Sequence, residues 1–436
     1  VITLQQRVHA AARPEDWQLD KLHQVFRVRR GNKNKGMKED NLLSLSYGRI
    51  IQKSIETADG LLPENFEGYQ IVEPGNIVLR LTDLQNDKRS LRQGLVTQRG
   101  IITSAYDAVE VQRDNDPRFW FYSLLALDLA KHYYSLGGGV RQSVKFADFP
   151  NDWVYCPALA TQRRIAGFLD RETARLDLLI GKKRGMLELL GEKRSALIAA
   201  AVTGGLDPAS GQPVVAKTAA RPSAAGGGRV TFPKVGYLIR PLATSSTIKN
   251  TVELEQADDL FPGYSASGQD VWLPYYDYDG PAIVLSAVGA QCGKTFLADG
   301  KWGTVANTTA FGIDTSKASP KFLHYMTNQK DFWEKGGSAQ PYVKVSETLR
   351  KRFFIPDLAT QRRIAGFLDR ETARLDLLMA KIDASIDLLR ERRAALITAA
   401  VTGQIDVPTS AKSDTPGTPD HPPTDPMNAP QEETSA

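Results

Sequence analysis

With 436 residues, 42% hydrophobic and 24% charged, the chain has an ordinary globular composition and enough length for two to four domains, which excludes the disordered and fibrous classes. It contains no run of about 18 apolar residues and no apolar leader core, so neither a membrane span nor a signal peptide is expected, and the expected compartment is the cytoplasm. Net charge is +5; the stretch from Pro408 onward holds one Lys against five Asp and Glu, so the rest carries about nine net positive charges and suits a polyanionic partner.

Residues 1–157 read as a first globular segment. "YQIVEPGNIVLRLTD" (69–83) and "RGIITSAYDAVEV" (99–111) are alternating or apolar runs of the kind that form strands. Two polar clusters stand out. Arg27, Arg29, Arg30, Lys33 and Lys35 alternate with Asn32 and Asn34; Lys88, Arg89, Arg92 and Arg99 lie among Gln85, Asn86, Gln93 and Gln98, with Arg80 just ahead. Lys and Arg neutralise phosphates, and Arg, Asn and Gln can pair with purine edges. Lys33, Lys35, Arg80, Lys88, Arg89, Arg92 and Arg99 are therefore the candidate nucleic-acid contacts here.

Residues 158–207 follow as a long helix, and 357–407 repeat it. "LATQRRIAGFLDRETARLDLL" occupies Leu159–Leu179 and recurs unchanged at Leu358–Leu378, an offset of 199 that also aligns "AAVTG" at 200–204 with 399–403. Pro157 and Pro356 precede the copies, and Gly204 and Gly403 close them, as helix boundaries require. Each helix should run about 44 residues, or roughly 65 Å. Leu169, Leu176, Lys183, Leu190 and Leu197 in one copy, and Leu368, Leu375, Ile382, Leu389 and Leu396 in the other, recur every seven residues as a coiled-coil seam does. Lys183 interrupts it, either with its stem lying along the seam or as a residue that sets register.

Between the helices, 208–229 is a Pro/Gly/Ala/Ser-rich linker, and 230–356 is a second strand-rich segment with "PAIVLSAVG" and "GTVANTTAFGI". Its candidate contacts are Gln291, Lys294, Lys301, Gln340 and Tyr342, with Trp302, Asn307 and Lys344 alongside. Residues 408–436 read as a disordered tail. The two segments share a frame: "DPRFWFY" (116–122) matches "SPKFLHY" (319–325), and "GGGVRQSVKF" (137–146) matches "GGSAQPYVKV" (336–345), while the middles do not align.

No phosphate-binding Gly-rich loop, His-Glu-x-x-His, Cys-x-x-Cys or Asn-Pro-Pro-Tyr-like loop occurs. Asp83 and Asp87 are better read as solvated than as a catalytic pair, and Cys156 and Cys292 as small buried residues. No cofactor or metal is expected. Two other readings stay open, an enzyme whose site carries no recognised motif and a coiled-coil adaptor that does not touch DNA.

The passage Pro–x–Leu–x–x–Gln–x–x–Ile–x–x–Phe–Leu, running into a long helix that ends "AAVTG", resembles the specificity subunits of type I restriction–modification systems. "PEDWQLDKL" (14–22), "YQIVEPGNIVLRLTDLQND" (69–87) and "RGIITSAY" (99–106) look like one target-recognition domain of that family; "GYSASGQDV" (263–271), "VGAQCGKTF" (288–296) and "GGSAQPYVKV" look like another. The resemblance spans nearly all of residues 14–407. It implies an α+β chain in which two strand-rich target-recognition domains are separated by two long helices that pair as an antiparallel coiled coil with pseudo-two-fold repetition. It also implies a non-catalytic subunit that reads both halves of a split double-stranded DNA target. Two methyltransferase subunits and restriction motor–nuclease subunits would be its partners and would hold S-adenosylmethionine, ATP and magnesium. Two departures are visible. Thr161 and Thr360 replace the family's acidic residue and could cap the helices, and "FPKVGYLIR" lacks a counterpart of Trp17.

Overall fold

The computed structural model describes residues 4, 6, 14–54, 65–82, 84, 91–112, 114–136, 143–212, 233–242, 259–305 and 307–408. The chain divides into two compact units, Val1–Arg184 with Asp383–Ala436, and Gly185–Ile382. The fold is α+β, with strand-rich sheets and two long helices. Among the described residues no helix is long and apolar enough to cross a membrane.

In the first unit the strands are β1 (Gln18–Lys21), β2 (Phe26–Val28), β3 (Leu43–Ser46), β4 (Arg49–Gln52), β5 (Gln70–Val72), β6 (Ile77–Leu79), β7 (Gln93–Leu95), β8 (Gly100–Ile102) and β9 (Asp107–Val111). Helix α1 (Pro117–Leu129) and strand β10 (Trp153–Cys156) lead into the long helix α2 (Leu159–Val202), which starts in this unit. The central sheet has the order β2-β9-β6-β7, all antiparallel. Its middle strand β6 is buried throughout, as the continuous apolar run Ile77–Leu79 demands. Asp116 caps α1 by accepting the Arg118 N–H at 2.9 Å, and Pro117 occupies the first turn, where its missing N–H costs nothing.

The second unit repeats this frame with β11 (Ile239–Pro241), β12 (Phe261–Ser265), β13 (Gly268–Leu273), β14 (Tyr278–Asp279), β15 (Ala282–Ser286), β16 (Thr295–Ala298), β17 (Lys301–Thr304) and β18 (Thr308–Ile313). Helix α3 (Pro320–Thr327), the short strands β19 (Lys335–Gly336) and β20 (Tyr342–Val343), and the long helix α4 (Leu358–Val401) follow. The central sheet order is β11-β18-β15-β16, the same first–last–second–third pattern in chain order as in the first unit. A second four-stranded sheet, β13-β12-β17-β14, has no match among the described residues of the first unit.

The division between units falls inside α2 and α4, because the halves of each helix pack with different globular domains. In the first unit Ile165, Ala166 and Leu169 of α2 and Ile397, Ala400 and Val401 of α4 share one core with Phe119 and Trp120 of α1. In the second unit Ile198, Ala201 and Val202 of α2 share a core with Ile364, Ala365 and Leu368 of α4 and Phe322 of α3. Each long-helix residue of one set is the 199-offset equivalent of a long-helix residue in the other. Within each unit the two helices run antiparallel and are joined by equivalent ion pairs, Arg393 to Asp177 at 3.0 Å and Arg194 to Asp376 at 2.8 Å.

Along the seven-residue stripe Leu169, Leu176, Leu368, Leu375 and Ile382 are buried. Lys183, Leu190, Leu197, Leu389 and Leu396 are half-buried, and the fully covered positions near the C-terminal ends are Ile198, Ala201 and Val202 with Ile397, Ala400 and Val401. A helix of 3.6 residues per turn drifts about 20° per heptad from a seven-residue stripe. Over the four heptads from Leu169 that is about 80°, close to the 100° that separates Leu197 from its neighbour Ile198.

Both helices close in the same way. Gly204 (φ +80°) and Gly403 (φ +73°) take the left-handed conformation, and Gly205 and Gln404 donate their N–H to Ala200 and Ala399 at 2.8 and 2.9 Å. In the first unit Pro14 and Trp17 pack on Gly403; in the second the Phe354 ring packs on Gly204. Phe354 thus covers the helix end in the second unit as Trp17 does in the first. Lys234 bridges Arg352 as Lys21 pairs with Trp153, giving "FPKVGYLIR" its place. The threonines are not the caps: Asp357 accepts the Thr360 N–H at 2.9 Å and the Thr360 hydroxyl at 3.0 Å, whereas Ala158 stands at the equivalent place before α2.

Candidate nucleic-acid interface

The identical helical passage seats each globular domain with the same side chains. Gln162 accepts the Asp116 N–H at 2.8 Å, and Gln361 accepts the Ser319 N–H at 2.8 Å. Tyr122 donates to Asp170 at 2.9 Å beside Thr173, and Tyr325 donates to Asp369 at 2.9 Å beside Thr372. Burial, and then the neighbouring Asp170 carboxylate, push the Tyr122 phenol well above its usual range, so it stays a donor. Arg118 and Lys321 add ion pairs to the same two aspartates at 3.0 and 2.6 Å.

On this frame the link between β6 and β7, and between β15 and β16, is one place where the two domains differ. It spans Arg80–Arg92 in the first unit and Ala287–Lys294 in the second; in the sequence Arg80, Lys88, Arg89 and Arg92 fall on the first link and Gln291 and Lys294 on the second. A second segment lies beside it in each unit through the same hydrogen bond, Val144 N–H to Leu81 O at 2.8 Å and Val343 N–H to Ala287 O at 2.9 Å. The stem is closed by the end of the short helix. Asp128 accepts the Arg92 N–H at 2.7 Å, while Asn328 accepts the Thr295 N–H and donates to its carbonyl, both at 2.9 Å. Loops held this way on a rigid sheet are suited to recognition.

The candidates of the first unit separate. Arg92 is a correction: it is 2% exposed, and its guanidinium donates to Thr82 O at 2.8 Å and stacks on Tyr134. Its charge serves the loop stem and cannot reach a phosphate. Arg99 is exposed but paired with Glu39 at 2.9 Å and with Glu73. The Asn41 N–H, followed by the Arg99 guanidinium, holds the Glu39 carboxyl below its ordinary range. Arg80 is half-buried. Lys33 and Lys35 are exposed, and the loop carrying them also presents Lys38, which sequence reasoning missed. Asn32 and Asn34 are not free to read bases. Asn32 donates to Ile71 O at 2.8 Å, and buried Asn34 donates to Glu39 O at 2.8 Å and accepts its N–H at 3.0 Å. Lys88 and Arg89 lie outside the described residues, as do Asp83, Asp87, linker residues 213–229 and tail residues 409–436.

In the second unit Gln291, Lys294, Gln340 and Tyr342 come together. Val288 bridges Tyr342, and the Gly289 N–H donates to Pro341 O at 2.9 Å, so the variable loop and the β19–β20 hairpin form one surface. The Lys294 ammonium lies 5.4 Å from the Phe296 ring centroid. Lys335, missed in the sequence although it immediately precedes Gly336–Gly337, lays its stem over Gly293, where an added Cβ would approach its Cε to 2.7 Å. Lys301 is elsewhere, on β17 with its ammonium 4.7 Å from the Tyr276 ring centroid. Trp302 is a correction: it is fully buried and donates to Gly280 O at 2.9 Å. Asn307 is exposed with a left-handed backbone (φ +64°). A cleft of about 460 Å³ between β16, α3 and the long helices is lined by Arg194, Lys321 and Asp369 among others, but its cations are already paired with Asp376 and Asp369. No group of His, Cys, Asp and Glu among the described residues could hold a metal ion.

Unlike polar loops thus stand at the same position on a repeated frame. Residues 274–387 match the family model described as the type I restriction modification DNA specificity domain, so the chain contains a domain of that family. None of the curated proteins matches the chain. Among solved structures, a chain from one described as underlying complex assembly and conformational transition of the type I R-M system is 15% identical, with 91% of this chain and 100% of that chain covered and a TM-score of 0.62, a likeness of fold. The HsdS subunit from Thermoanaerobacter tengcongensis is 16% identical over 91% of this chain and 99% of its own, with a TM-score of 0.46. The S subunit of a type I restriction–modification system from M. genitalium is 11% identical over 88% and 96%, with a TM-score of 0.37.

Proposed function

We propose that this chain is the non-catalytic DNA-specificity subunit of a type I restriction–modification complex. Each globular domain reads one half of a bipartite, asymmetric double-stranded target, and the helix pair sets the spacing of the halves and docks two methyltransferase subunits. The observation that carries this reading is the placement of unlike polar loops at the same position on two like frames. The long helices supply the docking support: Leu178, Leu179 and Leu388 are exposed in the first unit, and their equivalents Leu377, Leu378 and Leu189 are exposed in the second. Large apolar side chains in water at matching positions offer two equal partners two equal surfaces. Restriction motor–nuclease subunits would complete the assembly, with S-adenosylmethionine, ATP and magnesium held by the partners and the cytoplasm as its place.

The test is footprinting of the chain with its methyltransferase partner on genomic fragments. Protection of a two-part site is expected, with affinity falling steeply with salt as phosphate-bound cations are released. Binding indifferent to both salt and sequence would refute the reading. Methyl transfer or cleavage by this chain alone would favour an enzyme instead.

A further inference from the structure

The second unit carries an exposed aromatic ring laid on a backbone floor. Tyr342 is 45% exposed. A Cβ added to Gly336 would lie 2.9 Å from Cζ and Oη of the Tyr342 ring, and one added to Gly337 would lie 3.2 Å from its Cδ1. One side of the ring therefore rests where only glycine leaves room. Its position is held by backbone on two sides, since Tyr342 pairs with Gly336 in the β19–β20 ladder and bridges Val288. Two ammonium-bearing side chains border it. The Lys344 stem reaches the same glycine, with its Cε 3.1 Å from the added Cβ, and Lys335 is Gly336's neighbour on β19. Lys344 shares its charge with Glu347 at 3.5 Å; Lys335 forms no ion pair among the described residues.

We propose that Tyr342 is a stacking platform for a single nucleobase that has left the duplex stack, with Lys335 and Lys344 taking the phosphates on either side. The inference rests on the DNA-reading function proposed above. Every base has a π-face, so a fixed ring between cations binds an unstacked base without reading its edges.

The test uses the full chain and two duplexes of one arbitrary sequence at low salt, one fully paired and one carrying an unpaired 2-aminopurine bulge. The bulged duplex should bind about tenfold tighter, with its fluorescence quenched on binding. Tyr342→Ala should abolish both the preference and the quench. Tyr342→Phe should retain both, and Gly336→Ala, which drives a methyl group into the ring, should behave like Tyr342→Ala. A Tyr342→Ala variant that keeps the preference and the quench overturns the proposal, as does a Tyr342→Phe variant that loses them. Equal binding of both duplexes by the unaltered chain overturns the platform but leaves DNA reading standing; failure to bind either overturns both.

Discussion

Gln162→Leu tests how the repeated passage seats its domains. Gln162 is fully buried and makes three hydrogen bonds to oxygen or N–H groups, to the Asp116 N–H and Asn115 Oδ1 at 2.8 Å and to Pro157 O at 2.9 Å, and a weaker one to Cys156 Sγ at 3.6 Å. Leucine preserves the volume but removes every bond and leaves the Asp116 N–H buried without its partner. At about 1 kcal/mol net per bond, with the orphaned group adding further cost, the first unit should lose about 3–4 kcal/mol. Peptide-resolved hydrogen exchange should then show amides of α1 and the first turns of α2 opening at least about 100-fold more often, at tenfold per 1.4 kcal/mol. Gln361, bonded to Ser319, Lys317 and Pro356, predicts the mirror result in α3 and α4 for Gln361→Leu. A loss below about 1 kcal/mol in both variants, or faster exchange in the long helix without the short one, would refute the seating role.

Two further outcomes follow from the helices. Ala158→Asp should give α2 the cap that Asp357 gives α4, adding about 1 kcal/mol to the first unit in urea denaturation at pH 7. The Thr360 N–H holds the Asp357 carboxyl below its ordinary range, so its contribution is present above the unfolded value near 3.9 and lost as pH falls through the lower folded value. Asp357→Asn should cap α4 with no such acid loss, which denaturation at pH 7 and pH 3 will check. Deleting one heptad from both helices should shorten the recognised gap by about 10 Å, roughly three base pairs, in methylated-site mapping; an unchanged gap would mean that the helices do not measure it.

The helices were legible in the sequence because their signals are local. Repeated letters, bounding prolines and closing glycines lie on the element itself, and α2 and α4 each run 44 residues. The strands within "YQIVEPGNIVLRLTD" and "PAIVLSAVG" were legible for the same reason: an apolar run is buried wherever it goes. Arg92, Asn34 and Trp302 were not, because polar or aromatic letters in a loop-like context do not state their distant partners. Asp128 and Tyr134 stand 36 and 42 residues from Arg92. The seam was legible only in part, since a seven-letter period says nothing of the angular drift that brings Ile198 and Ile397 inward.

One carboxylate breaks the likeness of the two units. Asp177 receives Arg393 and also approaches Arg49 of β4 at 3.8 Å, whereas among the described residues Asp376 pairs with Arg194 alone. A sheet hairpin is thereby moored to the long helices in one unit by a contact that has no match among the described residues of the other. Losing Arg49 would therefore loosen this hairpin from the helices in the first unit, at about 1 kcal/mol or less, and leave the second unit as it was.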